Sequence, residues 1–222
     1  MSEDLLVVLV HAPEPGVVKC GLTPPLSPYQ ACAAYAAMLL DTEVLASSVL
    51  RADTWFACPG PIPEALRGLL CPTVIWKVQR STEPLPRLLD AFDQGFEAGY
   101  RRVAVLLADT PDLPSAYVGS AFERLNDDSD LAVFGPTFDG GLYLCGLSRP
   151  HHELFTGAPS SDSTNWLAIR SAASRAGAPI AILPRWQSVE TWPDLQDCLA
   201  RGLASNLVDL EAHGLLRPAT TD

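Results

Sequence analysis

Residues 11–19 read HAPEPGVVK, a turn rich in proline and glycine that ends in a lysine. After a buried strand, such a turn can direct backbone N–H groups and the Lys19 ammonium toward phosphate groups. The segment lacks the G-x-x-x-x-G-K-[ST] pattern of a P-loop and the G-x-G-x-x-G pattern of a dinucleotide site. Taken alone, these residues favour an ordinary turn with a surface lysine and a structural or solvated His11.

Two carboxylates, Asp109 and Asp112, lie in the segment DTPDLP at 109–114, directly after an apolar run. Carboxylate oxygens suit Mg²⁺ or Mn²⁺, and such an ion would neutralise the charge of a diphosphate leaving group. A carboxylate at the end of a buried strand has no evident structural task, so Asp109 is predicted to be functional. For Asp112 we expect a structural role, in which Asp112 or Ser115 caps the next helix.

Two further carboxylates admit two interpretations each. Asp139 precedes Gly140 and Gly141, which would let the backbone approach a ligand closely, although Asp-Gly is also typical of a tight hairpin. Without other information the hairpin is favoured. Glu190 lies in VETWP and is either a ligand of the same metal or a charge at a helix start capped by Thr191. Both interpretations of Glu190 stay open.

The elements that must position these residues alternate between strand and helix. Residues 5–10 form a continuous β-rich apolar run, typical of a strand buried on both faces, and Ser27-Pro28 is typical of a helix start. Strands are predicted at 5–10, 54–58, 73–78, 103–107, 131–134, 142–145 and 180–183. Helices are predicted at 28–46, 63–70, 85–99, 115–125, 165–176, 192–200 and 207–213.

This alternation predicts an α/β fold with three layers, α/β/α, around a mostly parallel mixed sheet. In such sheets, ligands bind beyond the carboxyl ends of the strands. That rule selects the loops 11–27, 109–114 and 135–141, which hold the candidate residues.

Length and net charge limit the classes of protein to which this chain can belong. The 222 residues, with 48% hydrophobic residues, suit one domain spanning 1–222. The net charge of −11 disfavours a nucleic-acid binder. There is no apolar run long enough to span a membrane and no basic leader, so a cytoplasmic location is expected. The six cysteines form no C-x-x-C pair and are interpreted as free thiols.

Several segments in order resemble one family. Residues 12–22 read APEPGVVKCGL and resemble its A-P-x-P-G-x-V-K-T-R-L motif. The segment 109–114 resembles D-S/C-P-D-L-P, and 135–147, GPTFDGGLYLCGL, resembles G-P-x-x-D-G-G-Y-Y-L-I-G-L. The segment 188–195, SVETWPDL, is similar to D-V-D-T-P-x-D-L with one inserted residue. The family is the GT-A-like group labelled selenodomain-associated transferases, more distantly related to phospholactate guanylyltransferase and molybdenum-cofactor nucleotidyltransferases.

The resemblance implies a GT-A-like nucleotide-diphospho-sugar transferase fold that binds a nucleotide or nucleotide-sugar and transfers a nucleotidyl or glycosyl group to an unknown acceptor. It implies Asp109 and Asp139 as catalytic residues and Mg²⁺ or Mn²⁺ held by Asp109 and Glu190. The implied nucleotide and phosphate contacts are Ala12, Pro13, Gly16, Lys19 and Arg87.

The departures from the family pattern all fall in the predicted site. The family's K-T-R is Lys19-Cys20-Gly21 here, so one cation and one hydroxyl are missing, and the P-W-S-T stretch is PSSD at 159–162. Arg87 is retained and could supply the missing cation. The alternative function is therefore a non-catalytic nucleotide-binding or protein-interaction member of the same fold. Gly21→Arg with Cys20→Thr is the restoration expected to separate the two.

Overall fold

The computed structural model of the chain describes residues 2–127, 130–155 and 166–217. Within these ranges, strands form one sheet in the order β3-β2-β1-β4-β6-β5-β7. The strands are β1 (Asp4–Leu9), β2 (Asp53–Pro59), β3 (Ile75–Gln79), β4 (Arg102–Leu107), β5 (Ala132–Pro136), β6 (Leu142–Leu147) and β7 (Ile180–Ile182). The helices are α1 (Pro28–Ser47), α2 (Glu64–Leu69), α3 (Pro84–Glu97), α4 (Ser115–Asp127), α5 (Trp166–Ala176), α6 (Trp192–Arg201) and α7 (Ser205–Ala212).

The sheet is mixed and mostly parallel, as predicted. Strand β1 runs parallel to β2 and β4, β2 parallel to β3, and β5 parallel to β7. Strand β6 is antiparallel to both of its neighbours, β4 and β5. The carboxyl ends of the other strands therefore lie at one edge of the sheet, called here the carboxyl edge.

Helices cover both faces of the sheet, which confirms the three-layer α/β/α prediction. Successive side chains of a strand point to opposite faces, so Leu6 and Val8 enter one core and Leu5 and Val7 the other. The first core contains residues of α1, α4, α6 and α7, and the second contains residues of α3 and α5.

Local signals place the ends of the helices close to their predicted positions. Helix α1 begins where Ser27 accepts a hydrogen bond from the Gln30 N–H at 3.3 Å, with Pro28 in its first turn. Strand β3 begins two residues later than the predicted 73–78, and α7 begins at Ser205 rather than 207. Asn165, the predicted start of α5, and the segment 159–162 lie outside the described residues.

The segment between β5 and β6 is a tight hairpin. Thr137 N–H donates to the Gly141 carbonyl at 3.0 Å, and Gly140 has a φ of 94°, a conformation that suits a residue without a Cβ. The hairpin interpretation of Asp139-Gly140-Gly141 is therefore correct. The turn lies at the carboxyl edge, so Asp139 still shares this edge with the other candidates.

The structure has no helix within its described ranges that combines the length and the apolar character needed to cross a membrane. The single-domain organisation and the cytoplasmic location stay predictions.

Candidate functional site

The site lies where the strand order changes direction. Strands β1 and β4 are neighbours, but the chain continues from β1 to β2 on one side and from β4 to β5, which lies beyond β6, on the other. Such a switch point opens a crevice at the carboxyl ends of two adjacent parallel strands. Lys19 follows β1 and Asp109 follows β4, so the two candidate loops border this crevice.

The Lys19 ammonium joins three distant parts of the chain. Its Nζ donates to Asp109 Oδ1 at 2.6 Å, to the Val189 carbonyl at 2.7 Å and to Glu190 Oε1 at 3.0 Å. The Lys19 side chain is 5% exposed, whereas those of Asp109 and Glu190 are 35% and 48% exposed. The cation is thus buried beneath two half-exposed carboxylates.

The charges of this cluster control its titration. Burial disfavours the Lys19 ammonium, but the negative charges of Asp109 and Glu190 outweigh burial and raise the pKa of Lys19. Burial, followed by the charge of Asp109, raises the pKa of Glu190, although Lys19 acts in the opposite direction. Lys19 therefore stays charged at neutral pH.

The loop after β1 bends sharply to bury Lys19. Gly16 has a φ of 79° and Lys19 has a φ of 49°, the left-handed region that non-glycine residues rarely adopt. A short 3-10 turn, Cys20–Leu22, follows, in which Leu22 N–H donates to the Lys19 carbonyl at 3.0 Å. Ala12 and Pro13 are half-buried and Gly16 is exposed at this turn.

A segment after β7 packs against this loop and against the loop after β4. Val189 N–H donates to the Asp109 carbonyl at 2.8 Å. A Cβ added at Gly21 would lie 2.3 Å from the Glu190 carbonyl oxygen, so only glycine fits here without movement. The Gly21→Arg restoration suggested by the family motif therefore collides with backbone, and it cannot serve as a pure test of charge.

The Asp139 carboxylate is held by hydrogen bonds from both sides of its turn. Oδ1 accepts from the Thr137 hydroxyl and from Gly141 N–H at 3.2 Å, and Oδ2 accepts from Ser188 Oγ at 3.0 Å. Burial raises the pKa of Asp139, but these hydrogen bonds outweigh it and the net shift is downward. Asp139 is therefore ionised at neutral pH.

Each of the three guanidinium nitrogens of Arg87 is hydrogen-bonded to the protein. Arg87 is buried, with Nε donating to Gln79 Oε1 at 2.7 Å, Nη2 to the Val10 carbonyl at 2.9 Å and Nη1 to His11 Nε2. These contacts secure the start of the loop after β1. They do not support the predicted role of Arg87 as a free cation for phosphate.

His11 is kept neutral by this arrangement. Its Nε2 accepts a hydrogen bond from Arg87, which a protonated ring could not do. Burial, followed by the charge of Arg87, lowers the pKa of His11 to about 4. The expectation of a structural histidine agrees with these contacts.

Asp112 does not cap a helix as expected. Its carboxylate is buried and accepts from Trp186 Nε1 at 2.9 Å and from Arg201 Nε. Asp112 has a structural role, as expected, but its two oxygens serve a contact between the loop after β4 and the C-terminal part of the chain. Pairing over such a sequence separation leaves no local signal in the sequence.

The predicted divalent cation can be tested against these contacts. Asp109 and Glu190 provide the hard oxygens that Mg²⁺ or Mn²⁺ prefers, but the point on which they converge already holds the Lys19 ammonium. Both oxygens of Asp139 already accept hydrogen bonds. Across the described ranges, no three His, Cys, Asp or Glu side chains come together as a metal-ligand group. The residues in this arrangement do not fit a bound metal.

Comparison with solved structures supports the fold. A "putative nucleotide-diphospho-sugar transferase" from Desulfovibrio desulfuricans is 27% identical, with a TM-score of 0.85 and coverage of 98% of each chain. The CTP complex of CMP:2-keto-3-deoxy-manno-octonic acid synthetase has a TM-score of 0.57 at 12% identity, covering 95% of this chain and 100% of that one. The chain thus has the GT-A-like nucleotide-diphospho-sugar transferase fold, as the sequence resemblance implied.

A third similar structure is a manganese complex of a protein from Mycobacterium tuberculosis. It has a TM-score of 0.53 at 16% identity and covers 89% of this chain and 98% of that one. At this identity the likeness establishes the fold, and the manganese belongs to that protein.

The sequence itself matches a family profile over residues 41–162, more than half of the chain. The chain belongs to the family described as "Uncharacterized protein conserved in bacteria (DUF2064)". No curated protein matches it.

Proposed function

We propose that this protein binds a nucleotide or a nucleotide-sugar at the carboxyl edge and transfers a nucleotidyl or glycosyl group from it. The observation that carries the proposal is the convergence of Lys19, Asp109 and Glu190 on one point. Asp109 and Glu190 follow Lys19 by 90 and 171 residues, and the point lies at the switch between β1 and β4. The fold of the similar transferases supports the same location.

The residues of the edge suit a reaction that depends on positioning and charge. The exposed turn at Gly16, with the half-buried Ala12 and Pro13, would form the phosphate side of the crevice. Asp139 is ionised and its Oδ2 accepts one hydrogen bond, from Ser188, so this oxygen would orient an acceptor hydroxyl. Asp109 would face the reacting groups from the opposite side.

The divalent cation expected from the sequence is outside this proposal. Its two expected ligands, Asp109 and Glu190, already hold the Lys19 ammonium. Metal dependence therefore stays a prediction for the experiments below.

Ligand-induced stabilisation tests the proposal. The purified protein is heated with GTP, CTP, UTP, ATP or a nucleotide-sugar, with and without Mn²⁺, and the melting temperature is recorded. A ligand at a hundred times its dissociation constant adds about 2.7 kcal/mol of stability. We expect one ligand to raise the melting temperature of the wild type and of Glu97→Gln, and Asp109→Asn to lose this rise while remaining folded.

Glu97 is the matched control because it is an exposed carboxylate at the end of α3 that pairs with Arg80 and not with Lys19. An unchanged ligand response in Asp109→Asn would contradict the assignment of Asp109. No response to any ligand would contradict the proposal as a whole.

A second candidate is a non-catalytic nucleotide-binding or interaction protein on the same fold. The observation in its favour is that the protons of Lys19 are all used within the protein and that position 21 accommodates only glycine. Release of pyrophosphate or of a nucleoside diphosphate in the presence of sugar phosphates separates the two candidates. Binding without any such release identifies the second.

A further inference from the structure

We infer that Lys19 is the resident cation of this site, and that its ammonium and a divalent metal exclude each other at the point between Asp109 and Glu190. The inference goes beyond the proposed transfer reaction and does not require that a nucleotide binds. It assigns to Lys19 a position between carboxylates, where the sequence motif predicts a contact with phosphate.

The geometry of the three contacts matches an ammonium. A lysine ammonium has three protons, and three oxygens accept them, one each from Asp109, Val189 and Glu190. The distances of 2.6, 2.7 and 3.0 Å are those of charge-assisted N–H···O hydrogen bonds. Mg²⁺ requires oxygens at about 2.0–2.1 Å in an octahedral arrangement.

Burial makes this ammonium costly to displace. The Lys19 side chain is 5% exposed, so an unpaired ammonium there would lose its hydration without compensation. The backbone of Lys19 also occupies the left-handed region, with a φ of 49°. A non-glycine residue in this region is strained and is retained where the surrounding contacts determine it.

Gly21 connects the departure from the family motif to this arrangement. Because position 21 has no side chain, the Glu190 carbonyl lies where a Cβ would be, 2.3 Å away. The adjacent Val189 carbonyl can then reach the Lys19 ammonium. The glycine at position 21 and the contact of Lys19 with Val189 therefore belong to the same packing arrangement.

Replacing the Lys19 ammonium by a divalent cation would change the net charge of the site. One ammonium between two carboxylates leaves one negative charge uncompensated at the mouth of the crevice, whereas a divalent ion would leave none. With Lys19 in place, the face presented to a phosphate-bearing ligand is therefore acidic. A divalent cation enters this point only when the ammonium leaves it.

Direct titration with Mn²⁺ in the absence of nucleotide tests the inference. Free Mn²⁺ is measured by electron paramagnetic resonance in wild type, Lys19→Met, and Lys19→Met combined with Asp109→Asn. Lys19→Met keeps the apolar stem and removes the charge. We expect this variant to bind one Mn²⁺ about tenfold or more tightly than the wild type, and the double variant to lose the gain.

Three results would overturn the inference: micromolar Mn²⁺ binding by the wild type, equal affinities of wild type and Lys19→Met, or a gain that persists in the double variant. Absence of binding in both wild type and Lys19→Met also counts against it, because removal of the ammonium would then open no metal site. If Lys19→Met does not fold, Lys19→Gln gives the same comparison. The metal titration remains interpretable even if every nucleotide fails to bind.

Discussion

The two edges of the sheet each hold an ion-pair cluster, and the charge that is buried has the opposite sign at the two edges. At the edge where β1 begins, Asp4 is the buried partner, 4% exposed, and it accepts from Arg51 Nε at 2.7 Å and from Arg102 Nε. At the carboxyl edge, the cation Lys19 is buried and its partners Asp109 and Glu190 are half-exposed.

The difference is that a carboxylate is the buried partner at one edge and an ammonium is the buried partner at the other. Around the buried Asp4 lie Arg51, which is 40% exposed, and Arg102, which also donates to the exposed Glu3, at an edge without candidate residues. Burying Lys19 leaves carboxylates outermost, at the edge that holds all the candidate residues. The first cluster is predicted to serve stability and the second to serve ligand binding.

Asp4→Asn is the strongest test of this comparison. It weakens the hydrogen bonds from Arg51 and Arg102 to position 4, and hydrogen bonds to charged groups contribute about 1.5–3 kcal/mol. We expect the free energy of unfolding, measured with urea, to fall by about this amount while nucleotide binding by the folded protein is unchanged. A loss below about 1 kcal/mol, or a loss of binding, would remove the distinction between the two edges.

Gly21→Ala tests the close packing at the carboxyl edge. The added Cβ meets the Glu190 carbonyl, and overpacking of this kind costs about 1–3 kcal/mol. Gly119→Ala is the matched control, because Gly119 lies within α4 and a Cβ there has nothing within 4 Å. Alanine in a helix interior is favoured over glycine by about 0.5–1 kcal/mol, so the control is expected to gain stability. If Gly21→Ala and Gly119→Ala change the free energy of unfolding in urea by the same amount, the segment after β7 moves without cost to make room for the new Cβ at position 21.

We expect protonation of His11 to destabilise the folded protein in acid. This is the smallest of the three predicted effects. The pKa of His11 is lowered from 6.5 to about 4 in the folded protein, so acidification below pH 6.5 favours the unfolded chain, which binds the proton more readily. This stabilisation is complete above pH 6.5 and is lost as the pH falls toward 4.

His11→Gln cannot titrate, so we expect its melting temperature to fall less than that of the wild type between pH 7 and pH 4.5. Because His11 is partly exposed, solvent screens its interactions, and the difference corresponds to less than about 1 kcal/mol. If the melting temperatures of the wild type and of His11→Gln fall equally with pH, the contact with Arg87 does not determine the pKa of His11.

The fold could be predicted because its signals are local. The apolar run at 5–10 indicates a strand buried on both faces, and Ser27 followed by Pro28 marks a helix start within a few residues of chain. The same rules identified the carboxyl edge and three of its loops. These rules did not select the loop after β7 as part of the carboxyl edge, although Glu190 in this loop was a candidate residue.

The sequence indicated which residues belong to the candidate site, but it did not indicate which contacts these residues make. Lys19 and Asp109 were assigned to phosphate and metal, yet they bind each other, and the left-handed φ of Lys19 that accompanies this contact has no signal in the sequence. Ser188 lies in the segment 188–195 that resembles the family, but neither Ser188 nor Gln79 gives a sequence signal for its contact with Asp139 or Arg87. The glycine that replaces the family's arginine at position 21 was the available signal for the close packing.

The long separation between Lys19 and Glu190 also sets the order in which the site can form during synthesis. Glu190 is translated 171 residues after Lys19. At about 5–20 residues per second, the ribosome delivers it roughly ten to thirty seconds later. A nascent chain that has already paired β1 with β4 therefore holds the Lys19 ammonium without two of its three acceptors. The crevice acquires its final charge only when the last quarter of the protein is made.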